Sequence, residues 1–229
     1  MLLSQTEIAF QTARGNMVLG QLVPNRIHET EILDAMGAVP REKFLPPRLQ
    51  GRAYADESIL IQRNCFLFEP LVTARLLQLA AAKKTDFVLN LKAATGYTAA
   101  LLARMSMAVV ALESDSGLCD AAQERFIEME IDNAAVLNIN PEAGFPSQAP
   151  YNLIFIDGIV PNIPETLTDQ LAEGGSLVCV TVKPFSPEGK ATKVSKNNGV
   201  LSYLNAFDVA LDDFIRPRID KNFIFESVS

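Results

Sequence analysis

The stretch FVLNLKAATGYTAALLARM, residues 87–105, decides the fold of this chain. Its first five residues form an apolar run of strand length, and Tyr97 to Met105 have the Ala, Leu and Met content of a helix. A strand, a tight turn and a helix open a βαβ unit, in which the turn faces the ligand crevice. Such turns are rich in glycine, because glycine lets the backbone approach a ligand closely. The turn KAATG at residues 92–96 holds one glycine, so the frame of a nucleotide site is present but its lining is altered.

The composition fits one α/β domain, or one domain with a small extension. Of the 229 residues, 48% are hydrophobic, and the formal net charge of −7 argues against nucleic acid as a general partner. The sequence contains one histidine, His28, which argues against a histidine-rich metal site and against a histidine-based catalytic triad. Three scattered cysteines without a CxxC pair are expected to be reduced thiols of a cytoplasmic protein. We expect no signal peptide and no membrane partner, because no apolar run approaches the length of a span.

The residues before position 71 are predicted to form an N-terminal helical and loop extension, residues 1–70, packed on a domain at residues 71–229. Residues 51–70 are predicted to be irregular, and Leu71–Ala82 to be a helix with a strong Leu and Ala face. Two earlier helices are expected: one within residues 4–23, broken near Gly15, and His28–Met36, stopped by Gly37 and Pro40.

From residue 87 onward, predicted strands and helices alternate, which indicates an α/β fold with a Rossmann-like, doubly wound, mostly parallel sheet. Asn198-Gly199 lies between two strand-like runs and predicts a C-terminal antiparallel hairpin. The predicted strands are Phe87–Leu91, Val109–Glu113, Ala135–Ile139, Tyr151–Ile156 and Ser176–Val182. The predicted helices are Tyr97–Met105, Gly117–Met129 and Pro164–Leu171, the last closed by Gly174-Gly175.

Four segments carry a family resemblance through their order and spacing: Val39–Pro46, Ala53–Asp56, Gly96–Ala100 and Gln170–Val178. They match the VPRxxFVP, AYxD, first cofactor and QLxxGGxLV motifs of the protein-L-isoaspartate O-methyltransferases, which the chain resembles from residue 8 to residue 215. The resemblance implies a Rossmann-like methyltransferase domain with extra N-terminal helices. It also implies S-adenosylmethionine as cofactor, a protein or peptide as substrate or partner, and repair by methylation of isoaspartyl α-carboxyl groups.

The chain departs from the family pattern at the predicted catalytic positions. Phe68 stands where the family has its catalytic serine, and Phe66 where it has a threonine. A benzyl group cannot make the hydrogen bonds of a hydroxyl. These two rings either line a new apolar pocket or fill the core. Asp56 orients substrate if the resemblance holds there, or else braces its own loop.

The first cofactor motif is also altered. Its acid has become Asn90, and its first two glycines have become Lys92 and Ala94, whereas Gly96 and Tyr97 are retained. The Lys92 side chain would project where the cofactor should lie, with its charge facing the positive sulfonium. It either plugs the crevice by pairing with a carboxylate, Glu113 or Asp157, or extends into water.

Three further positions complete the predicted cofactor site. Asn140 replaces the acid that faces the adenine side in the family. Glu113 ends the second strand of the βαβ region, where an acid typically holds the ribose hydroxyls; otherwise it is a leftover solvated carboxylate. Asp157 ends the fourth strand and either faces the crevice or serves only the turn.

Three functions remain open from the sequence. The favoured one is an inactive or strongly impaired relative that serves as a binding or scaffold protein, its crevice filled from within. The alternative is an active S-adenosylmethionine-dependent methyltransferase with altered cofactor contacts or substrate, because methyl transfer gains most of its rate from proximity and orientation. The third is a small-molecule sensor that uses the altered pocket. The oligomeric state is left open.

Overall fold

The computed structural model describes residues 4–63, 65–183 and 186–215. A seven-stranded sheet organises the chain, and a two-stranded hairpin lies apart from it. The strands are β1 (Ile59–Gln62), β2 (Cys65–Leu67), β3 (Phe87–Leu91), β4 (Ala108–Glu113), β5 (Ala134–Asn138), β6 (Tyr151–Val160), β7 (Leu171–Val182), β8 (Glu188–Asn197) and β9 (Val200–Ala210). The helices are α1 (Gln5–Met17), α2 (Thr30–Ala38), α3 (Pro70–Ala80), α4 (Tyr97–Ala103), α5 (Ser116–Glu128) and α6 (Glu165–Thr168).

The order of the large sheet is β5-β4-β3-β6-β7-β8-β9. Strands β3 to β7 are parallel to their neighbours among themselves, and β8 and β9 add an antiparallel hairpin at one edge. The predicted fold class is therefore confirmed. From β3 the chain proceeds outward through β4 and β5, then returns to β6 on the other side of β3. The carboxyl ends of β3 and β6 flank this reversal of strand order, where open α/β sheets hold their ligands.

Strands β3, β4 and β6 are largely buried on both faces, which explains why they appear in the sequence as continuous apolar runs. The edge strand β5 is partly exposed. The whole of α4 is buried against the parallel strands. Phe44 and Leu45, in the connector between Pro40 and Pro46, are 0% and 1% exposed and anchor this part of the N-terminal region in the core. None of the helices in the described part of the chain combines the length and apolar content needed to cross a bilayer.

Three N-terminal predictions are wrong in detail. Helix α1 runs through Gly15 without a break, because one glycine costs only about 1 kcal/mol and a capping box between Ser4 and Glu7 stabilises the helix start. Helix α2 includes Gly37 and ends at Ala38. The next residue, Val39, precedes Pro40 and is extended. Residues 51–70 contain the antiparallel hairpin β1–β2 as well as irregular backbone. The division at residues 70 and 71 stays a prediction, and residues 216–229 lie outside the described residues.

Two predictions near the carboxyl side of the sheet are also corrected. The predicted helix Pro164–Leu171 is only the short α6, because Leu171 pairs with Tyr151 and opens β7, which then includes Gly174-Gly175. Strand β6 does not stop at Ile156 but continues to Val160. Its pairing with β7 shifts between Phe155 and Ile159, so Asp157 lies in an irregular part of the strand at the edge of the crevice.

Candidate cofactor site

An open cleft of about 1190 Å³ lies at the carboxyl ends of β3 and β6. The β1–β2 hairpin forms one wall of the cleft, and the strand ends and the loops after them form the other. Contrary to the expectation that the crevice is filled from within, the residues that the structure describes leave it open. The predicted site residues that line the cleft are Lys92, Ala94, Glu113, Asn140 and Asp157, together with Phe66 of the hairpin.

The turn after β3 keeps the backbone of a glycine-rich turn without its glycines. Lys92 and Ala94 have φ values of 58° and 51°, and Gly96 has 88°. The left-handed conformation costs a non-glycine residue about 1–2 kcal/mol. At Gly96 no other residue fits, because an added Cβ would lie 2.9 Å from the Ala122 Cβ and 3.2 Å from the Phe126 ring. Gly96 therefore fixes α4 against α5 and does not line the cleft.

Glu113 braces this turn. Its Oε2 atom accepts a hydrogen bond from the Ala94 amide at 2.9 Å, and its Oε1 atom accepts from the amides of Ser114 and Asp115 at 2.8 and 3.1 Å. The residue is only 9% exposed, so the alternative of a leftover solvated carboxylate is wrong. Its carboxylate ties the end of β4 to the turn after β3.

The two asparagines at acid positions take different places. Asn90 is completely buried, and its Nδ2 atom donates to the Phe155 carbonyl of β6 at 3.1 Å, so the side chain joins two strands and does not line the cleft. Its Oδ1 atom has no hydrogen-bond partner in the described chain. Asn140 lines the cleft and caps the turn after β5, because its Oδ1 atom accepts from the Glu142 amide at 3.1 Å.

Lys92 does not plug the cleft. Its Nζ atom lies 3.4 Å from the Ile159 carbonyl, so the side chain follows the wall formed by β6, and the residue remains exposed. The described ion pairs include none between Lys92 and Glu113 or Asp157, so of the two alternatives the plug is wrong, and the exposed side chain agrees with extension toward water. Partial desolvation in the cleft lowers the pKa of Lys92, and the charges of Glu142 and Glu113 oppose this shift.

Asp157 presents an unpaired carboxylate oxygen at the switch point. Its Oδ2 atom is buried and has no hydrogen-bond partner among the residues that the structure describes. Desolvation raises the pKa of Asp157 to about 7; Thr98 and Arg41 oppose the rise and Glu113 adds to it. The carboxyl group is therefore poised between its neutral and charged forms near physiological pH.

Arg41 holds the segment that bears Phe68, the predicted catalytic position, and the sequence predicts no separate role for this arginine. Its guanidinium is fully buried, with Nε donating to the Ala53 carbonyl at 2.8 Å and Nη2 to the Phe68 carbonyl at 2.6 Å. The guanidinium carbon lies 4.9 Å from the Tyr97 ring centroid. The available signal was its place in the matched VPR segment, but burial of an arginine cannot be seen in a sequence pattern.

The remaining predicted site residues lie away from the cleft. Phe68 is 3% exposed and packs edge-on against Phe66, with ring centroids 5.0 Å apart. Tyr97 is completely buried beside Arg41. Asp56 is exposed and is not part of the cleft wall. Phe68 thus fills the core, whereas Phe66 lines the pocket.

Comparison with known proteins identifies a family. The model of the protein-L-isoaspartate(D-aspartate) O-methyltransferase (PCMT) family matches residues 13–210. A protein-L-isoaspartate O-methyltransferase of Methylorubrum extorquens (strain PA1) is 37% identical over 180 residues, 79% of this chain and 77% of the relative. Its counterpart in Brucella anthropi is 35% identical over 169 residues, 74% of this chain and 77% of the relative.

Solved structures agree with these sequence matches. A protein-L-isoaspartate O-methyltransferase has a TM-score of 0.73 at 24% identity, over 88% of this chain and 67% of its own. A Plasmodium falciparum beta-aspartate methyltransferase (PCMT), in complex with S-adenosyl-L-homocysteine, has a TM-score of 0.72 at 19% identity, over 88% of this chain and 95% of its own. At such identities the structural likeness shows the fold, and the sequence matches show the family. The chain belongs to the protein-L-isoaspartate(D-aspartate) O-methyltransferase family.

Proposed function

We propose that this protein binds S-adenosylmethionine in the cleft and methylates carboxyl groups of isoaspartyl proteins or peptides. The observation that carries the proposal is the open cleft of about 1190 Å³ at the switch point of the sheet. Small-molecule sites enclose about 300–1,000 Å³, so the space suffices for a nucleoside cofactor with part of a substrate beside it.

The residues present fit the chemical groups of the cofactor. Glu113 at the end of β4 is placed to serve ribose hydroxyls, and its carboxylate oxygens retain lone pairs beyond the hydrogen bonds they accept. Phe66 and Leu118 supply apolar surface for a purine. The unpaired Oδ2 atom of Asp157 offers an acceptor for a positive group. Lys92 is turned toward the Ile159 carbonyl and leaves the cleft open.

The contribution of this chain to the reaction is binding and orientation. S-adenosylmethionine, when bound, supplies an electrophilic methyl group. Holding a carboxylate in line with it converts a bimolecular step into an effectively unimolecular one, which needs little side-chain chemistry. The hairpin residues Leu60 and Phe66 and the later Phe214 form apolar walls of the same space.

A second candidate is a relative that binds the cofactor or a protein partner but turns over slowly or not at all. The observation that favours it is Phe68, whose buried ring stands at the family's serine position while Arg41 fixes its backbone. No hydroxyl is offered there to a substrate. A cytoplasmic location is part of the proposal, and the three unpaired cysteines support it.

The experiment is transfer of labelled methyl from S-adenosylmethionine to an isoaspartyl peptide, with a competent family member as positive control. Transfer above that to the matching aspartyl peptide supports the proposal. Two variants separate the candidates: Phe68→Ser restores the hydroxyl, and Phe68→Ala opens similar space without one. If only Phe68→Ser transfers methyl, the second candidate is correct for the unaltered chain. If neither the chain nor Phe68→Ser transfers methyl, repair methylation is excluded.

A further inference from the structure

We propose that Asp157 is the residue that binds the ammonium group of the ligand's amino-acid part. This inference rests on the proposed function and deepens it, because it assigns the positive end of the cofactor to a residue of β6. By the family resemblance, the acid of the first cofactor motif falls at position 90 on the neighbouring strand β3, where this chain has Asn90.

Asn90 cannot take this role. Its side chain carries no charge, lies completely out of solvent and donates to the Phe155 carbonyl at 3.1 Å. The positive end of a ligand in the cleft therefore needs another acid. The Asn90 hydrogen bond joins β3 to β6 just before Asp157. Asp157 therefore lies on the adjacent strand, at the same carboxyl end of the sheet as Asn90.

The other acids that line the cleft already accept hydrogen bonds from described residues of the chain. Glu113 accepts from the amides of Ala94, Ser114 and Asp115. The two carboxylate oxygens of Asp115 accept from the Leu118 amide and the Gln62 side chain, each at 3.0 Å. Glu142 is exposed at the rim, where its Oε2 atom faces the Asn140 amide at 3.4 Å.

Asp157 alone among these cleft acids has a buried oxygen without a partner within the described ranges. A buried polar atom left unpaired costs free energy, and a donor that binds there recovers it. An ammonium group is such a donor and also carries the charge that stabilises the ionised carboxylate. The geometry of the site and the chemistry of the group therefore agree.

The groups that face Asp157 come from several elements. Arg41 lies on the N-terminal connector, Thr98 on α4 and Glu113 at the end of β4, and all three affect its pKa. The Cys65 thiol on β2 faces Asp157 across the cleft, and burial raises the pKa of this thiol to about 12, so it stays neutral. Lys92 on the turn after β3 lies along the same wall of the cleft. Arg41 donates to the Ala53 and Phe68 carbonyls through Nε and Nη2. Its Nη1 atom is also buried without a hydrogen-bond partner among the described residues, so Arg41 leaves the Oδ2 atom of Asp157 free.

The experiment is calorimetric titration of three proteins with two ligands. The proteins are the unaltered chain, Asp157→Asn and Glu142→Gln, which removes an equal charge from the rim of the cleft. The ligands are S-adenosylhomocysteine, which has the ammonium group, and 5′-methylthioadenosine, which keeps the nucleoside but lacks the amino-acid part. We expect Asp157→Asn to weaken S-adenosylhomocysteine binding about tenfold or more and 5′-methylthioadenosine binding less than about twofold. Glu142→Gln should change both by less than about twofold.

The outcomes distinguish this inference from the proposed function. If the unaltered chain binds neither nucleoside, both are wrong. If it binds S-adenosylhomocysteine and Asp157→Asn weakens that binding no more than Glu142→Gln does, only the assignment of Asp157 is wrong. A second measurement needs no variant: the affinity for S-adenosylhomocysteine should rise from pH 6 to pH 8, while that for 5′-methylthioadenosine stays level. A level profile for both ligands would also overturn the assignment.

Discussion

The Oε2 atom of Glu113 accepts a hydrogen bond from the backbone amide of Ala94 at 2.9 Å. This contact joins the acid at the end of β4 to a turn that has lost two of its expected glycines. The turn nevertheless keeps positive φ at Lys92 and Ala94. A carboxylate that accepts from backbone amides on both sides stabilises such a conformation. The cleft therefore remains open because its frame is braced, even though its sequence has changed.

Removing the charge of Glu113 should loosen this frame. In Glu113→Gln, an amide NH₂ replaces one carboxylate oxygen and faces either the Ala94 donor or the Ser114 donor. We expect the free energy of unfolding to fall by about 1–3 kcal/mol in urea denaturation. Glu142→Gln, at the exposed rim, is the control and should leave the midpoint nearly unchanged. Equal midpoints for the two variants would show that Glu113 does not brace the turn.

Glycine should be tolerated at Ala94 and not at Ala93. The left-handed conformation of Ala94 costs free energy that glycine would not lose, whereas Ala93 has no positive φ. We expect Ala94→Gly to change the free energy of unfolding by about 0 to +1 kcal/mol, and Ala93→Gly to lower it by about 1 kcal/mol. Urea denaturation of both variants measures the difference. If Ala94→Gly destabilises as much as Ala93→Gly, the turn is not strained.

Arg41 should be essential for stability. Arg41→Met leaves the buried Ala53 and Phe68 carbonyls without their donor. We expect a loss of about 3 kcal/mol or more in the free energy of unfolding. Arg52→Met is the matched control, because Arg52 forms an exposed ion pair with Glu57 and should leave the midpoint nearly unchanged. Similar midpoints for both variants would contradict the bracing role of Arg41.

The raised pKa of Asp157 predicts a specific pH dependence of stability. The folded chain holds its proton up to about pH 7, whereas the unfolded carboxyl loses it near 3.8. The contribution of Asp157 is therefore fully present below about pH 4 and is lost as the pH rises through 7. At pH 8 we expect Asp157→Asn to have a free energy of unfolding larger than that of the unaltered chain by about 1–4 kcal/mol, measured by urea denaturation. At pH 4 this difference should disappear. A difference in the free energy of unfolding that does not change with pH would contradict the raised pKa of Asp157.

The sequence predicted the fold well because its evidence is local and periodic. Buried parallel strands appear as apolar runs, and the Asn198-Gly199 hairpin has a recognisable turn. Boundaries failed where tertiary pairing decided them, as at Leu171, which pairs with Tyr151 and begins a strand where a helix was predicted to end.

The candidate site was only partly predictable. The positions that line the cleft follow from strand ends, so Lys92 was predicted to project into the crevice, and Asp157 either to face it or to serve only the turn; the structure places both at the cleft. Whether the cleft is filled depends on side-chain direction, which a sequence does not contain. The contact of Lys92 with the Ile159 carbonyl and the contacts of Arg41 with two backbone carbonyls arise from residues distant in sequence.

The most direct test of the account is calorimetric titration of the unaltered protein with S-adenosylmethionine. The open cleft predicts saturable binding in the micromolar range, about −8 kcal/mol. Absence of heat up to millimolar ligand would contradict the account, because it would mean that the altered turn at Lys92 and Ala94 no longer accepts the cofactor.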